Sequence, residues 1–381
     1  MLTVLSCHSL AIIADIGVSY QTHLVHPRGL INRGNLCFIN AILQPLLHTA
    51  PFYNAFRKLL LETTPKMITS APLLDAMLRF WAEFHEDTPG SKLQLTEGDD
   101  PTAFAPEYVY TAVRKLRKID AQQKGRQEDA EEFLGFIIDG LHEELVSLQK
   151  EEGSAEAKSP DSDGSWVEVG KTGKNLVTRN VRVETSPVNA IFGGRLRSVV
   201  KCPGRKDSVT TEPFQALQLD IAPNHVHTIS DALQHLHALE TLEGFTSPTK
   251  SNRLGTATKQ NFLEVLPPVL ILHLKRFVYD ADKGVGKLGK FVGYDSVLRI
   301  PTELMPAPLR PTAKHIEYRL TAVVYHHGAH AAGGHYTCDV SRQAGGEWLR
   351  VDDAAVGSVP EREVVGRKEG RDAYLLFYTR T

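Results

Sequence analysis

Two long helices are the clearest feature of the hydrophobic pattern in the first half of the chain. The apolar residues that follow Cys37 fall on one helix face, namely Ile39, Ile42, Leu43, Leu46 and Leu47. Pro45 lies inside this pattern and predicts a kink or an early helix end. A second helix is predicted from the acidic cluster before Phe133 to about Lys150, because acidic residues favour a helix N-terminus. Its buried face is predicted to consist of Phe133, Phe136, Ile137, Leu141, Leu145 and Leu148.

The pattern changes after the second helix. Residues 151–174 are rich in Glu, Ser, Gly, Asp, Pro and Lys, which is typical of a disordered or loosely held insertion. Later segments rich in β-branched and aromatic residues alternate with Gly and Pro turns. They predict strands at Val269–Phe277, Tyr318–His326, His335–Val340, Trp348–Val351 and Ala373–Tyr378. Helices first and strands later indicate an α+β fold.

Composition and charge exclude several classes of function. The 381 residues carry a formal net charge of −2, so the chain lacks the basic field that underlies most nucleic-acid binding. No run of about 18 or more apolar residues is present, so we expect no membrane span. Residues 1–26 have neither the basic start nor the apolar core of a signal peptide, and we assign this N-terminal extension no role.

The four cysteines, Cys7, Cys37, Cys202 and Cys338, are widely spaced and form no Cys-x-x-Cys pair. This spacing predicts neither a disulfide framework nor a four-thiolate zinc site. A reducing compartment fits best, and the expected location is the cytoplasm, with the nucleus as a second location.

Cys37 is the first candidate for chemistry. It follows the glycine-containing turn 29–36 and begins the first predicted helix, where the helix dipole favours a thiolate nucleophile. A free cysteine is more often a buried, inert core residue, so its neighbours must decide between the two interpretations. Asn32 lies in the same turn and carries an amide donor of the type that stabilises an oxyanion.

His335 is the best candidate for the base that a thiol nucleophile needs. It follows Gly333 and Gly334 and begins a predicted strand, and Asp352 ends the next strand. Antiparallel pairing would bring that carboxylate to the imidazole, where it would set the tautomer. A metal site is the alternative, because His326, His327, His330 and His335 are close in sequence, although their spacing matches no zinc motif.

The segments around these residues resemble the Cys box and the His box of the ubiquitin-specific proteases. Residues 29–44, GLINRGNLCFINAILQ, match the Cys box, and Tyr318–His326 with Gly333–Tyr336 match the His box. Further matches in the family's order are QEDAEEF at 127–133, LPPVLILHLKRF at 266–277, Trp348–Asp353 and Ala373–Tyr378. The resemblance covers about residues 27–380.

The resemblance implies a fold, a substrate and an activity. The fold is a papain-like cysteine protease hand with thumb, palm and fingers, built from a catalytic domain at 27–381 with the fingers within about 190–265. The implied activity is thiol-dependent hydrolysis of the isopeptide bond after the C-terminal glycine of ubiquitin. The implied partners are ubiquitin and ubiquitinated proteins, and a monomeric catalytic domain is expected.

The resemblance also implies roles for single residues of the reacting group. By matching position, Cys37 is the nucleophile, His335 the base and Asp352 the orienting acid. Asn32 is the oxyanion donor, and Asp353 is a possible second acid.

A second set of matched positions is implied to bind the ubiquitin tail. Asp129 and Glu132 match positions that meet the basic tail, and Gln44 belongs to the same set. Phe277 and Tyr336 are implied to form the walls of a narrow tail channel.

The chain departs from the family's pattern in the fingers, where many members carry two Cys-x-x-Cys pairs. Only Cys202 is present in that region, and one thiolate cannot hold a structural zinc, so no metal or cofactor is expected. Leu36 replaces the usual Thr before the nucleophile. The first alternative function is a catalytically idle ubiquitin-binding module, and a second is a Cys-His-Asp acyltransferase or transglutaminase, which would lack the other motifs.

Overall fold

The structure is a computed structural model. It describes residues 18–62, 71–88, 93, 95, 98–117, 128–153, 177–179, 185–203, 206–246, 254–280, 284–312, 314–330, 333–342 and 346–381. Residues 1–17 of the N-terminal extension and 154–174 of the predicted insertion lie outside this part of the chain.

Most of the helices pack together in the first half of the chain. They are α1 (Cys37–His48), α2 (Ala50–Glu62), α3 (Pro72–Ala82), α4 (Glu107–Arg117), α5 (Ala130–Gly153) and α6 (Pro187–Phe192), followed later by α7 (Ile229–His237) and α8 (Glu361–Val364). The two predicted helices are confirmed as α1, which begins at Cys37, and α5. The predicted early end at Pro45 is wrong, because α1 continues to His48. Burial of all but its last residue offsets the hydrogen bond that Pro45 removes.

All strands except β1 lie in the second half of the chain, and the α+β prediction is confirmed. The first eight are β1 (Val177–Arg179), β2 (Gly194–Lys201), β3 (Ser208–Phe214), β4 (Ala216–Leu219), β5 (Glu240–Thr246), β6 (Leu254–Val265), β7 (Val269–Leu274) and β8 (Phe277–Asp280). They are followed by β9 (Gly284–Lys287), β10 (Val297–Pro301), β11 (His315–His327), β12 (His335–Ser341), β13 (Trp348–Asp352), β14 (Ala355–Val359) and β15 (Arg371–Arg380).

Eight of these strands form a central sheet. Seven of them lie in the order β14-β13-β12-β11-β15-β7-β4, and β10 pairs with β11. All pairings are antiparallel except that between β4 and β7. The three strands β11, β12 and β13 are consecutive in the chain and adjacent in the sheet, so short connections join them.

The central sheet is buried on both faces, which explains why β7 is apolar at nearly every position. Val269 and Ile271 join a core formed with the helices, whereas Leu270, Leu272 and Leu274 join a second core on the opposite face. Successive strand residues point to opposite faces, so only a doubly covered strand requires an uninterrupted apolar run.

The predicted strand Val269–Phe277 is divided in two by Arg276. The Arg276 side chain is almost fully buried and donates to the backbone carbonyls of Ala373, Leu288 and Lys290. Strand β7 therefore ends at Leu274, and Phe277 begins a separate hairpin of β8 and β9.

A second, outer sheet occupies the region that the sequence assigns to the fingers. Its five strands have the order β1-β3-β2-β6-β5. Most positions of β2 and β3 are partly or fully exposed. This sheet is therefore covered much less completely than the central one.

The described part of the N-terminal extension packs onto the domain. Val25 is buried and forms a bridge with Glu86, and Arg342 donates to the Val25 carbonyl oxygen at 3.2 Å. His26 Nδ1 forms a 3.0 Å hydrogen bond with Asp87, which also pairs with Arg342. Within the described ranges, no helix is long and apolar enough to cross a bilayer.

Candidate active site

Cys37 lies at the first position of α1, at the end of a turn that Asn32 organises. The Asn32 side-chain oxygen accepts hydrogen bonds from the backbone N–H groups of Gly34 and Leu36, both at 3.1 Å. These bonds stabilise the turn that precedes α1. The thiol is thereby placed at the positive end of the helix dipole, as predicted, and only 3% of the residue is exposed.

His335 and Asp352 lie together next to Cys37. His335 begins β12 and Asp352 ends β13, and the two strands pair antiparallel as the sequence indicated. His335 Nε2 lies 2.6 Å from Asp352 Oδ1. The imidazole also forms a hydrogen bond with the Cys37 side chain. The structure therefore brings thiol, imidazole and carboxylate into one relay.

The relay changes the protonation of its members. The hydrogen bond that His335 donates to Asp352, followed by its hydrogen bond with Cys37, raises the pKa of His335 to about 10. The same bond to His335 holds the pKa of the Asp352 carboxyl below its usual value, against an opposing effect of burial. His335 therefore stays protonated through neutral pH and can supply a proton to a leaving amine.

Asp353 does not contact His335 in the way Asp352 does, but connects two asparagines. Its carboxylate accepts from the Asn32 amide at 2.9 Å and from the Asn40 amide at 2.8 Å. Its φ of 49° is in the left-handed region, which non-glycine residues seldom adopt. Tyr110 donates to the Asn40 side-chain oxygen at 2.8 Å. One hydrogen of the Asn32 amide is thus used by Asp353, and an amide nitrogen carries a second one.

The acidic pair lies at the start of α5. Asp129 accepts bonds from the Tyr374 hydroxyl at 2.6 and 2.7 Å, and burial raises the pKa of its carboxyl. Glu132 is exposed. The two carboxylates therefore differ, because Asp129 is held in place whereas Glu132 faces solvent.

Phe277 and Tyr336 belong to a cluster of four rings. The His326 ring lies 5.2 Å from Phe277 and 4.9 Å from Tyr336, both edge-on, and the Tyr374 ring is 5.1 Å from Phe277. Burial lowers the pKa of His326 to about 4, so this imidazole is neutral. The cluster connects the acidic start of α5 with the strand that carries His335.

Gln44 does not join the other candidate tail-binding residues. It is 1% exposed, and its amide donates to the Arg28 carbonyl oxygen at 2.7 Å. About two turns of α1 separate it from Cys37. Its position identifies a packing and loop-holding role on the buried side of the catalytic helix.

The loop before His335 is held at its base by Lys287 from β9. The Lys287 ammonium pairs with Asp372 at 2.8 Å and donates to the carbonyl oxygens of His326 and Gly328 at 3.0 and 2.6 Å. Its side chain is only 1% exposed. The hairpin of β8 and β9 therefore supports the segment that leads to His335.

The histidine-rich metal site is not supported by the geometry. His327 Nε2 lies 2.7 Å from the Thr337 hydroxyl, and His326 lies in the ring cluster. Within the described ranges, one group that could hold a metal contains His335, and its other members are Asp352 and Asp353. Those contacts are explained by the relay, and Cys202 is a free, half-buried thiol.

Sequence reasoning missed three residues of the site and gave a fourth, His326, only the role of a metal ligand. Tyr374, His326, Asn40 and Lys287 each act through contacts with segments far away in sequence or hidden in the sheet. Tyr374 lies in a strand whose residues are mostly buried, so its sequence pattern indicates only a core residue. Nothing in the local sequence distinguishes Lys287 from a solvent-exposed lysine. The neighbouring Asn32 and Asn40 on either side of Cys37 are the one signal that could have suggested a shared partner.

Comparison with known proteins agrees with this geometry. The family model described as ubiquitin carboxyl-terminal hydrolase matches residues 28–378. The probable ubiquitin carboxyl-terminal hydrolase 3 of Schizosaccharomyces pombe is 40% identical over 93% of this chain and 74% of its own length. Ubiquitin carboxyl-terminal hydrolase 10 of Rattus norvegicus is 40% identical over 93% of this chain but 48% of its own length. The chain thus spans about half the length of this rat relative.

Solved structures match over nearly the whole chain. A yeast SAGA DUBm that carries a mutant Sgf73 superposes with a TM-score of 0.67 at 26% identity, over 95% of this chain and 70% of that one. The SAGA Ubp8/Sgf11/Sus1/Sgf73 DUB module bound to ubiquitin aldehyde gives a TM-score of 0.69 at 25% identity, over 98% and 74% of the two chains.

Proposed function

Because the chain belongs to the ubiquitin carboxyl-terminal hydrolase family, we propose that it is a thiol-dependent deubiquitinase that cleaves the isopeptide bond after the last glycine of ubiquitin. The observation that carries this proposal is the relay of Cys37, His335 and Asp352, with its 2.6 Å carboxylate bond. A thiol paired with a protonated imidazole is the arrangement that nucleophilic acyl transfer needs.

In the first step, the Cys37 sulfur attacks the carbonyl carbon of the terminal glycine. The free hydrogen of the Asn32 amide donates to the oxyanion that forms. His335 then gives its proton to the departing lysine amine, and a thioester remains on Cys37. Asp352 keeps the imidazolium oriented, while Asp353 holds the Asn32 amide in position.

In the second step, water attacks the thioester carbonyl. His335, now neutral, accepts a proton from this water, and the Cys37 thiolate leaves. Free ubiquitin is released with a C-terminal carboxylic acid that loses its proton to solvent, and the relay returns to its starting protonation. Atoms and charge balance without a metal or an organic cofactor, and we propose that none is used.

Recognition of the ubiquitin tail is proposed to combine acidic side chains with a narrow channel between aromatic rings. In this proposal Glu132, beside the Tyr374-bound Asp129, meets a basic segment of the ubiquitin tail. The rings of Phe277 and Tyr336, which both contact His326, are proposed to line the approach to Cys37. The two C-terminal glycines of ubiquitin fit through this channel because they have no side chain that would collide with the rings. Cleavage rates of ubiquitin variants with alanine in place of either tail glycine test this: we expect strong loss, and full rates would contradict the channel.

The activity is tested with a fluorogenic amide of the ubiquitin C-terminus. Wild type should release the fluorophore and Cys37→Ala should not, while ubiquitin binding, measured separately, should be retained by the variant. Tight binding without turnover by the wild type would favour the idle ubiquitin-binding module instead. Transfer of ubiquitin to an added amine rather than to water would favour an acyltransferase.

We further propose that residues 27–381 act as a monomeric catalytic domain in the cytoplasm or nucleus, without nucleic-acid or membrane partners. The net charge of −2 and the absence of Cys-x-x-Cys pairs support this view. Residues 1–26 receive no catalytic role. Light scattering of the purified chain checks the oligomeric state, and imaging of the tagged chain in cells checks the location.

A further inference from the structure

A cavity of about 200 Å³ lies at the far ends of the two elements that carry the catalytic pair. Helix α1 begins at Cys37 and ends at His48, which lines the cavity. Strand β12 begins at His335 and ends at Ser341, which also lines it. With a rise of about 1.5 Å per residue, the cavity is about 16 Å from Cys37 along α1.

The cavity combines an apolar body with unpaired positive charge. Val25, Leu47 and the ring of Tyr53 contribute to its lining. Arg319 and Arg380 also line it, and in the described part of the chain neither guanidinium has a carboxylate within ion-pair distance. Guanidinium groups pair preferentially with carboxylates or phosphates. Half-buried Arg319 and exposed Arg380 therefore form no ion pair within the described residues.

Two further polar side chains of the cavity, Arg342 and His23, already have partners. Arg342 pairs with Glu347 at 3.0 Å and with Asp87. His23 pairs with Glu86 at 2.9 Å. A ligand anion would thus meet Arg319 and Arg380 without displacing an internal carboxylate.

His48 also lines the cavity, as a neutral ring. Its Nδ1 bonds the Gln44 carbonyl oxygen at 2.9 Å, so Nδ1 carries the hydrogen and Nε2 is a bare acceptor. Among the described residues, Nε2 is hidden from solvent and has no hydrogen-bond partner. Burial lowers the pKa of His48 to about 4, which keeps the ring neutral. His48 therefore adds no positive charge to the lining, and the charge available to a ligand anion is that of Arg319 and Arg380.

We propose that this cavity is a second ligand site, which takes a carboxylate carried on a small apolar body and whose occupancy changes the alignment of Cys37 with His335. The size supports one ring, because a cavity of about 150 Å³ accommodates benzene. The two sources of this chemistry are a free aryl acid and the C-terminal residue of a peptide. Coupling to the active site would pass through α1 and β12, which pack closely against each other and so transmit small displacements.

Binding is tested with phenylacetate and its neutral match, phenylacetamide, titrated into the full chain by calorimetry. Phenylacetate should bind at least about tenfold more tightly than the amide, because a charge-assisted pair is lost in the amide. The substitution Arg319→Gln should lower the affinity for phenylacetate by a similar factor. Arg299→Gln is the matched control, since Arg299 lies outside the cavity and pairs with Glu317 at 3.1 Å. Equal affinity for acid and amide, or unchanged affinity of Arg319→Gln, would overturn the site.

Two further arms locate the ligand and identify its source. Cys37→Ala should bind phenylacetate as wild type does, whereas weakened binding would place the ligand in the catalytic channel and overturn the proposal. A tripeptide that ends in phenylalanine with a free carboxylate is compared with its C-terminal amide. Binding by the peptide acid favours a polypeptide as the natural ligand, and binding by phenylacetate alone favours a free acid.

The coupling is tested by cleavage of the ubiquitin fluorogenic amide at saturating phenylacetate, and this arm alone rests on the proposed function. We expect kcat/KM of wild type to change at least about twofold and that of Arg319→Gln to stay constant. An unchanged wild-type rate with intact binding would overturn the coupling. An inactive wild type would contradict the proposed deubiquitinase, while the calorimetric arms would still decide the site.

Discussion

The central sheet and the outer sheet are both β-structure, but they are stabilised differently. All six residues of β7 in the central sheet are buried, and its two faces belong to two separate cores. In the outer sheet, one end of β2 is buried and the remaining positions are half-buried or exposed. The central sheet is thus stabilised by packing on both sides, whereas the outer sheet depends on backbone pairing and a thin apolar contact.

This difference corresponds to what each region must do. His335 and Asp352 lie on β12 and β13 of the central sheet, and Cys37 lies on the helix packed against β12. A relay with a 2.6 Å bond needs elements that do not move relative to one another. The outer sheet carries none of the relay, so we expect changes there to be tolerated by the chemistry.

The largest expected effect is that of Cys37→Ala on turnover. Loss of the nucleophile should lower kcat for the ubiquitin fluorogenic amide by at least about 10³-fold. The melting temperature should stay close to that of wild type, since the change removes one sulfur atom. Cys338→Ala is the matched control, because Cys338 is a buried thiol of β12 outside the relay. Comparable loss in both variants would mean that packing, and not nucleophilicity, is responsible.

A matched pair of Leu→Ala changes compares the two sheets directly. Leu272 in β7 is fully buried, and its truncation should lower the free energy of unfolding by about 2–5 kcal/mol. Leu196 in β2 is half-buried, and Leu196→Ala should cost about 1 kcal/mol. Urea unfolding of both variants measures these values. Equal costs would show that the outer sheet is packed as firmly as the central one.

Asp352→Asn should change both the rate and its pH dependence. The hydrogen bond that His335 donates to Asp352 is the largest cause of the raised His335 pKa of about 10. A raised pKa means that the imidazolium persists below that value and is lost as the pH rises through it. The variant should therefore lose activity at lower alkaline pH, shifted by about one unit or more, and fall by about 10²–10⁴-fold at neutral pH. Initial rates measured across the pH range check both effects.

Asp353→Asn provides the control for that pH profile. Its carboxylate accepts hydrogen bonds from Asn32 and Asn40. The carboxylate that bonds to His335 is that of Asp352. We expect a lower rate with the alkaline limit unchanged. An alkaline limit that moves in Asp353→Asn but not in Asp352→Asn would reverse the two assignments.

The smallest expected effect is that of a zinc chelator. Cys202 is the one cysteine of residues 190–265, which is too few thiolates for a structural zinc. Turnover and the unfolding midpoint should be the same before and after prolonged chelation. A decrease that added zinc restores would place a metal in the fold after all.

The elements nearest to the chemistry were predictable because their signals are local. The helix that starts at Cys37 and the strands that carry His335 and Asp352 follow from periodicity, glycine placement and hairpin pairing. The confirmed family membership was predicted from sequence motifs. Such a match indicates the fold of the family but does not explain which distant contacts produce it. The buried Arg276 that ends β7 could not be foreseen, because its partners are backbone carbonyls from other segments.

The remaining parts of the site depend on contacts that no local pattern encodes. Tyr374 reaches Asp129 across 245 positions of sequence, and Asn32 reaches Asp353 across 321. The pairing of β4 parallel to β7 is likewise set by tertiary packing. Gln44 illustrates the limit of motif matching, because its position in the Cys box says nothing about its burial on the inner side of α1.

The most direct test of the proposed chemistry is covalent trapping. Ubiquitin that carries a thiol-reactive electrophile in place of its terminal carboxylate is incubated with the chain, and the adduct is digested and located by mass spectrometry. We predict a single ubiquitin adduct on the peptide that contains Cys37, absent in Cys37→Ala and strongly slowed in Asp352→Asn. An adduct on Cys202 or Cys338, or none on the wild type, would contradict the assignment of Cys37 as the nucleophile.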